Sequence, residues 1–81
     1  MTQRILIVED ECDIVNVVKG YLEQAGYQTM TAYDGKTGLF MARQERPDLV
    51  VLDIMLPEMD GLEVLRRLRQ ESEVYVLMLT A

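Results

Sequence analysis

Apolar and polar positions follow two alternating patterns along the chain. Three short apolar runs, at residues 4–8, 48–53 and 74–80, have the length of buried strands and are too short for buried helices. A fourth segment, at residues 27–33, is rich in Thr and Tyr, which favour strands. The chain is therefore predicted to contain four strands.

The segments between these strands carry apolar residues at steps of three and four, which is the spacing of an amphipathic helix. This spacing predicts helices over residues 12–25, 36–46 and 62–70. The first helix has six apolar positions on one side, at Ile14, Val17, Val18, Tyr21, Leu22 and Ala25. The third helix has three on one face, at Leu62, Leu65 and Leu68. Gly26 supplies a left-handed stop after the first helix, the pair Asp34-Gly35 predicts a turn, and Pro47 ends the second helix.

The order of the elements, βαβαβαβ, predicts an α/β domain with a parallel sheet and helices on its faces. With 81 residues the chain has room for one domain at most. Ligands of such sheets bind beyond the carboxyl ends of the strands. The residues at those ends are therefore the candidate functional residues, namely Glu9, Asp10, Asp53 and Thr80.

Composition and charge exclude several classes of function. Hydrophobic residues make up 49% and charged residues 27% of the chain, a balance typical of globular rather than disordered proteins. The formal net charge of −6 argues against binding of a nucleic-acid backbone by this segment. The chain has no His, so neither a Cys/His zinc site nor a Ser-His or Cys-His pair can form within it. The apolar runs are too short to span a membrane, no secretory signal is expected, and the single Cys12 fits a reducing cytoplasm.

Three acidic residues lie at the ends of two apolar strands. If the first and third strands are neighbours, about 5 Å apart, then Glu9, Asp10 and Asp53 share one small space. Three anions this close raise one another's pKa unless a cation lies between them, and carboxylate oxygens suit a hard ion such as Mg²⁺. Each acid alone is more simply explained as capping a helix and keeping the sheet edge hydrated. Together, at one edge, the three acids favour a metal site.

Three motifs along the chain together indicate a known family. Residues 5–11 read ILIVEDE, residues 50–61 read VVLDIMLPEMDG, and residues 76–81 read VLMLTA. With these motifs in this order and spacing, the chain resembles, over its whole length, the receiver domains of two-component response regulators. The resemblance implies a flavodoxin-like parallel sheet with strand order 2-1-3-4, and a receiver domain over residues 1–81.

The resemblance also implies roles for individual residues. Asp53 accepts a phosphoryl group and becomes an acyl phosphate, which is nucleophilic chemistry of a carboxylate. Mg²⁺ is held by four residues, namely Glu9, Asp10, Asp53 and, through its backbone carbonyl, Met55. The hydroxyl of Thr80 binds a phosphoryl oxygen and moves its loop, which makes Thr80 a switch. Pro57 and Gly61 shape the loop beside the site.

The partners that the resemblance implies are those of two-component signalling. A histidine kinase donates the phosphoryl group, and the receiver accepts it in the cytoplasm rather than acting as an enzyme. Residues 55–57 and 61–65 most resemble receivers that precede a winged-helix DNA-binding domain. Any contact with DNA is therefore expected through an output domain outside this chain, and no contact with a membrane is expected.

Receiver domains usually place an aromatic switch residue on a fifth strand and a Lys after it, and these 81 residues include neither. We therefore expect the receiver domain to be incomplete at the C-terminus of this chain. Apolar positions around the first and third strands are expected to lie open, and the fourth strand is expected to form an unpaired edge. These surfaces predict self-association, for example as a homodimer.

Other functions stay open at this point. A receiver-like interaction module that takes no phosphate would keep its acids for folding alone. A phosphatase with an aspartyl nucleophile has a similar topology, but such enzymes need a second Asp where Met55 stands. The run Gly35-Lys36-Thr37 superficially resembles a nucleotide P-loop, but that motif needs a glycine at the position of Met30. A turn followed by a helix start is the simpler interpretation of this run.

Overall fold

The computed structural model describes residues 2–79, which form seven elements in strict alternation. The strands are β1 (Arg4–Val8), β2 (Gln28–Ala32), β3 (Leu49–Asp53) and β4 (Tyr75–Leu79). The helices are α1 (Cys12–Gln24), α2 (Gly35–Glu45) and α3 (Gly61–Arg69). Within the described residues, no helix is long and apolar enough to cross a membrane.

The four strands form one parallel sheet in the order β2-β1-β3-β4, which confirms the predicted α/β fold and strand order. β1 lies between β2 and β3, and its register with β3 runs from Ile5 beside Leu49 to Val8 beside Leu52. Helices α2 and α3 contact one another over one face of the sheet, whereas α1 packs beside β2 over the other face. This division follows from the right-handed crossovers that connect parallel strands.

The main hydrophobic core lies between the sheet and helices α2 and α3. Its buried members are Leu6, Val8, Ala32, Leu39, Val50, Leu52, Leu56, Val64 and Leu68. Side chains alternate across a strand, so Leu6 and Val8 point to this face while Ile5 and Ile7 point to the face that carries α1. Burial on both faces explains why β1 and β3 are almost wholly apolar.

Helices α2 and α3 each begin one residue earlier than predicted, at a glycine. The carboxylate of Asp34 accepts a hydrogen bond from the N–H of Thr37 (2.7 Å), and that of Asp60 accepts one from the N–H of Glu63 (2.9 Å). These are N-cap interactions, which satisfy a backbone donor at the start of a helix. The cap of α2, rather than a phosphate loop, accounts for the run Gly35-Lys36-Thr37. The other described boundaries differ from the prediction by one residue at most.

Helix α1 buries a narrower face than its apolar pattern predicts. Val15, which lies outside the predicted apolar set, is buried, whereas Ile14, Val17 and Tyr21 are exposed. Two further members of the set are half-buried, Val18 and Leu22. The prediction is wrong in detail because periodicity identifies the apolar side of a helix but not the line along which that helix meets the sheet.

Helix α3 is also rotated relative to the predicted face. Val64 and Leu68 are buried and Leu65 is half-buried, but Leu62, which was expected on the same face, is exposed. The reason lies at the first residue of the helix, because Gly61 is buried against the backbone of β3. This contact turns Val64 and Leu68, which lie three and seven residues after Gly61, toward the core.

The expected opening around the first and third strands is wrong. Ile5, Ile7 and Val51 are all buried, because α1 packs across their face of the sheet. The open apolar positions lie on β4 instead, where Tyr75 is 79% and Leu77 is 56% exposed. Within the described residues β4 pairs with β3 alone, so its other edge is unpaired as expected. Self-association stays a prediction.

Replacing the cap of α2 measures its contribution to folding. Asp34→Ala removes the carboxylate that accepts hydrogen bonds from the N–H and the hydroxyl of Thr37. We expect the free energy of unfolding to fall by about 1 kcal/mol, the usual contribution of an N-cap. Asp34→Asn keeps an acceptor oxygen and should lose only a fraction of that amount. Urea denaturation measures both variants, and equal losses would contradict the cap assignment.

Candidate metal centre

Three carboxylates meet at the edge of the sheet where the strands end. Glu9 directly follows β1, Asp10 comes next, and Asp53 is the last residue of β3. One oxygen of each carboxylate lies within 4.8 Å of an oxygen of each of the other two. The structure therefore brings together the three acids that the sequence placed at strand ends.

The register of β1 and β3 is the cause of this meeting. Val8 is aligned with Leu52, so the next residue along each strand direction is an acid, Glu9 on one side and Asp53 on the other. Neighbouring strands lie about 5 Å apart, which is the reach of two short acidic side chains. A shift of one residue in register would move one carboxylate along the sheet edge and turn it to the opposite face.

Glu9 is held in place by backbone hydrogen bonds on two sides. Its N–H donates to the carbonyl oxygen of Ala32 (3.0 Å), which continues the pairing of β1 with β2 beyond the last strand residue. Its Oε2 accepts from the N–H of Glu11 (3.1 Å). The residue is 2% exposed, so its carboxylate is almost completely removed from water.

Burial raises the pKa of Glu9 to about 7, from an ordinary value of 4.5. Desolvation is the largest cause, since it disfavours the charged form. The hydrogen bond from the N–H of Glu11 opposes the shift, whereas the neighbouring carboxyl groups of Asp10 and Asp53 add to it. Near neutral pH the acidic cluster therefore holds more negative charge than its surroundings stabilise, which is a condition that a bound cation relieves.

Asp53 is also buried, at 6% exposure, and its carboxylate is oriented by the following loop. Its Oδ1 accepts a hydrogen bond from the N–H of Met55 (3.1 Å). The N–H of Ile54 donates to the carbonyl oxygen of Leu79 (3.2 Å), which ties the start of this loop to the end of β4. The carboxylate is thus fixed relative to both neighbouring strands.

Gly61 allows the loop after β3 to fold back onto the site. A methyl group placed on Gly61 would lie 2.1 Å from the carbonyl oxygen of Asp53 and 2.7 Å from the Cα of Ile54. No other residue type fits at this distance, because these contacts are with backbone atoms that cannot rotate away. The N–H of Gly61 donates to the carbonyl oxygen of Ile54 (2.9 Å) and closes the loop.

A cleft of about 220 Å³ lies directly over the acids. It is lined by Glu9, Asp10, Glu11, Ile14, Val18, Asp53, Met55 and Leu79. Four of these residues, Glu11, Ile14, Val18 and Leu79, were not predicted from the sequence as site residues. Ile14 and Val18 lie four residues apart on α1 and four and eight residues after Asp10, so helical spacing offers a signal for them. Leu79 offers no local signal, because its place depends on the pairing of β4 with β3.

The donor set of the cluster fits a hard divalent cation. All three side chains offer oxygen, two of them are buried, and the part of the cleft that the structure describes has no Lys or Arg in its lining. Met55 lines the cleft, with its N–H directed at Asp53. Thr80, the predicted switch residue, lies outside the described residues.

The chain matches the family model of a known domain over nearly its whole length. The family model of the response regulator receiver domain matches residues 5–81. The chain belongs to this family. The match includes both acidic strand ends, so the cluster lies within the matched receiver domain rather than in an added segment.

Transcriptional regulators are among the curated relatives of this receiver. It is 49% identical over 82 residues to the alkaline phosphatase synthesis transcriptional regulatory protein PhoP of Bacillus subtilis, covering 100% of this chain and 34% of the relative. It is 43% identical over 79 residues to the probable transcriptional regulator ycf27 of Galdieria sulphuraria, covering 98% of this chain and 31% of the relative. The receiver thus spans about a third of the length of the curated relatives it matches.

Solved receiver structures share the fold. The N-terminal domain of a response regulator receiver protein from Methanoculleus marisnigri superposes with a TM-score of 0.95 at 42% identity, covering 100% of this chain and 68% of that one. The BeF3-activated N-terminal receiver domain of RstA from Klebsiella pneumoniae superposes with a TM-score of 0.91 at 32% identity, covering 95% and 66%. These neighbours confirm the receiver fold and its strand order.

The raised pKa of Glu9 predicts how stability changes with pH in metal-free buffer that contains a chelator. The folded receiver binds a proton at Glu9 below pH 7, whereas the unfolded chain binds it only below about pH 4.5. Between these values the folded state holds more protons, so the free energy of unfolding should rise as the pH falls from 7 toward 4.5. The stabilisation is complete below pH 4.5 and is lost as the pH rises through 7.

Two variants isolate this effect in urea denaturation at pH 5 and pH 7.5. Glu9→Gln cannot ionise, so we expect it to flatten the pH dependence and to stabilise the receiver at pH 7.5 by about 1–3 kcal/mol, since one pKa unit corresponds to about 1.4 kcal/mol. Glu11→Gln, an exposed acid nearby, should keep the wild-type slope. A Glu9→Gln variant with the wild-type slope would show that Glu9 is not the titrating group.

Proposed function

We propose that this receiver is a phosphoacceptor of two-component signalling, in which a histidine kinase transfers a phosphoryl group to Asp53. The observation that carries the proposal is the position of Asp53, a buried carboxylate at a strand end that faces a cleft beside two other acids. The RstA receiver domain, which is similar in structure, was solved in a BeF3-activated form. We infer the same kind of activation for this receiver.

In phosphoryl transfer the protein contributes mainly by positioning the reacting groups and by stabilising their charge. A carboxylate oxygen of Asp53 forms a bond to phosphorus while the bond from phosphorus to the donor's imidazole nitrogen breaks, and the imidazole leaves with the electron pair. The N–H of Met55, 3.1 Å from Oδ1, holds the rotation of the carboxylate. The product is an acyl phosphate on Asp53, so the receiver accepts a group once and is not itself an enzyme.

Mg²⁺ is the cofactor that the acidic cluster supports best. We assign its binding to four residues, namely Glu9, Asp10, Asp53 and, through its backbone carbonyl, Met55. When bound, Mg²⁺ supplies neutralising charge at the transferred phosphoryl group. Glu9 and Asp10 place two anionic oxygens beside the attacking carboxylate, which is unfavourable by itself and becomes favourable around a divalent cation.

The output of the receiver is proposed from its relatives. PhoP and ycf27 are transcriptional regulators about three times as long as this chain. We assign to this protein a DNA-binding output domain outside these 81 residues, controlled by phosphorylation of Asp53. The switch role of Thr80 rests on the resemblance to receivers, since Thr80 lies outside the described residues.

Phosphate incorporation is the first test of this proposal. In the full-length protein with Mg²⁺ and acetyl phosphate, Asp53→Asn should abolish base-labile phosphate incorporation, because an amide lacks the anionic oxygen that attacks phosphorus. Asp13→Asn, an exposed acid on α1, should be labelled like the wild type. Labelling of Asp53→Asn at the wild-type level would assign the nucleophile elsewhere. A wild type that takes no phosphate from acetyl phosphate or from a kinase would favour an interaction module, and turnover of a phosphomonoester would favour a phosphatase.

Metal binding is the second test. Asp10→Asn removes one anionic oxygen from the cluster, so Mg²⁺ affinity measured by isothermal titration calorimetry should fall at least about tenfold. A loss of this size occurs even when the replaced residue only hydrogen-bonds to a metal ligand. Asp13→Asn, at an exposed acid on α1 that does not line the cleft, should leave the affinity near the wild-type value. Unchanged affinity in Asp10→Asn would remove Asp10 from the ligand set.

A further inference from the structure

The loop that follows Asp53 rests on the first turn of α2. Gly35, the first residue of α2, is buried against this loop. A methyl group placed on Gly35 would lie 2.7 Å from the carbonyl oxygen of Met59 and 2.7 Å from Cγ2 of Val64. Real Cβ atoms do not come this close to other heavy atoms, so the loop occupies space that only a glycine leaves empty.

Gly35 matters because it has no side chain, and not because its backbone adopts a conformation that only glycine allows. Of the five glycines, Gly26 alone has a positive φ (97°), and Gly35 has the ordinary helical conformation of an N-terminal residue of α2. Alanine therefore fits the backbone of position 35 and is a better helix former than glycine. Its cost would be the collision of its methyl group with the loop at Met59 and with the side chain of Val64 on α3.

The loop cannot absorb such a collision locally. It is closed by short-range backbone hydrogen bonds, from the N–H of Leu56 to Ile54 (3.1 Å) and from the N–H of Met59 to Pro57 (2.7 Å). Glu58 between them already has a left-handed φ of 64°. A displaced Met59 would therefore carry the whole loop with it.

The first turn of α2 cannot move away either. Its cap residue binds both the N–H and the hydroxyl of Thr37. One turn later, Gly38 packs so closely on β1 that a methyl group there would lie 2.8 Å from Cγ1 of Val8. The helix start is thus pressed onto the central strand, and the loop is the part that would yield.

We propose that Gly35 is a positioning residue for Asp53. The close contact of Gly35 with the Met59 carbonyl sets the distance of the loop from α2. Through the loop this contact fixes the Met55 backbone, whose N–H orients the Asp53 carboxylate. This inference rests on the proposed function of Asp53 and adds a contact on α2, outside the acidic cluster, that controls its geometry.

The test compares Gly35→Ala with three other variants in the full-length protein. The first readout is the rate of phosphorylation by acetyl phosphate at saturating Mg²⁺, and the second is the amide resonance of Met55 in an ¹H–¹⁵N spectrum. We expect Gly35→Ala to slow phosphorylation by about tenfold or more, since a misplacement of 1 Å costs up to a hundredfold, and to shift the Met55 resonance. Gly20→Ala, with no atom within 4 Å of the added methyl group, should change neither readout.

A core variant outside the cleft separates positioning from loss of stability. Leu68→Val removes buried volume near the end of α3, at a residue that does not line the cleft, and it should lower the urea midpoint while leaving the phosphorylation rate and the Met55 resonance near the wild type. If Leu68→Val slows phosphorylation as much as Gly35→Ala at equal loss of stability, the role of Gly35 is structural and the proposal is wrong.

The double variant Gly35→Ala/Val64→Ala removes the side-chain half of the collision and leaves the Met59 carbonyl in place. We expect the double variant to recover stability but not the phosphorylation rate. If Gly35→Ala alone does not fold, the double variant replaces it in the test. Full recovery of both would overturn the proposal. If the wild type takes no phosphate, the proposed function fails, and the Met55 resonance still decides whether Gly35 positions the acidic cluster.

Discussion

The parallel pairing of β1 with β3 is the constraint on which the rest of the structure depends. The register ends with Val8 beside Leu52, so Glu9 and Asp53 follow side by side. β1 is also paired on its other side with β2, which leaves it no freedom to slide. Because a change of register by one residue turns side chains to the opposite face, the apolar pattern that buries both strands also places the two acids.

This arrangement places acidic side chains in buried positions, where burial disfavours their charged form. Burial of Glu9 raises its pKa to about 7, and the neighbouring acids strengthen the effect. Two backbone N–H groups, those of Glu11 and Met55, compensate part of the cost by donating to the cluster. The remaining imbalance is the physical reason why the cluster is suited to a bound cation.

Close backbone contacts at glycines connect the acidic cluster to the helices. Gly61 lets the loop after β3 lie against Asp53, and Gly35 lets the same loop lie against α2. The loop is therefore confined between a strand and a helix on the side of the sheet that carries the main core.

The sequence by itself determined the element order, the strand order that its family motifs imply, and the presence of three acids at two strand ends. The element order and the position of the acids follow from local periodicity and from residues adjacent in the chain, which is why the described boundaries agree to within one residue, whereas the strand order was implied by the resemblance to receiver domains. Only the tertiary structure decided which side of α1 is buried, where the open apolar positions on β4 lie, that Leu79 lines the cleft with Asp53, and that Gly35 packs against the loop after Asp53. Those features depend on contacts between residues far apart in the chain and on the exclusion of water, and a local pattern specifies neither.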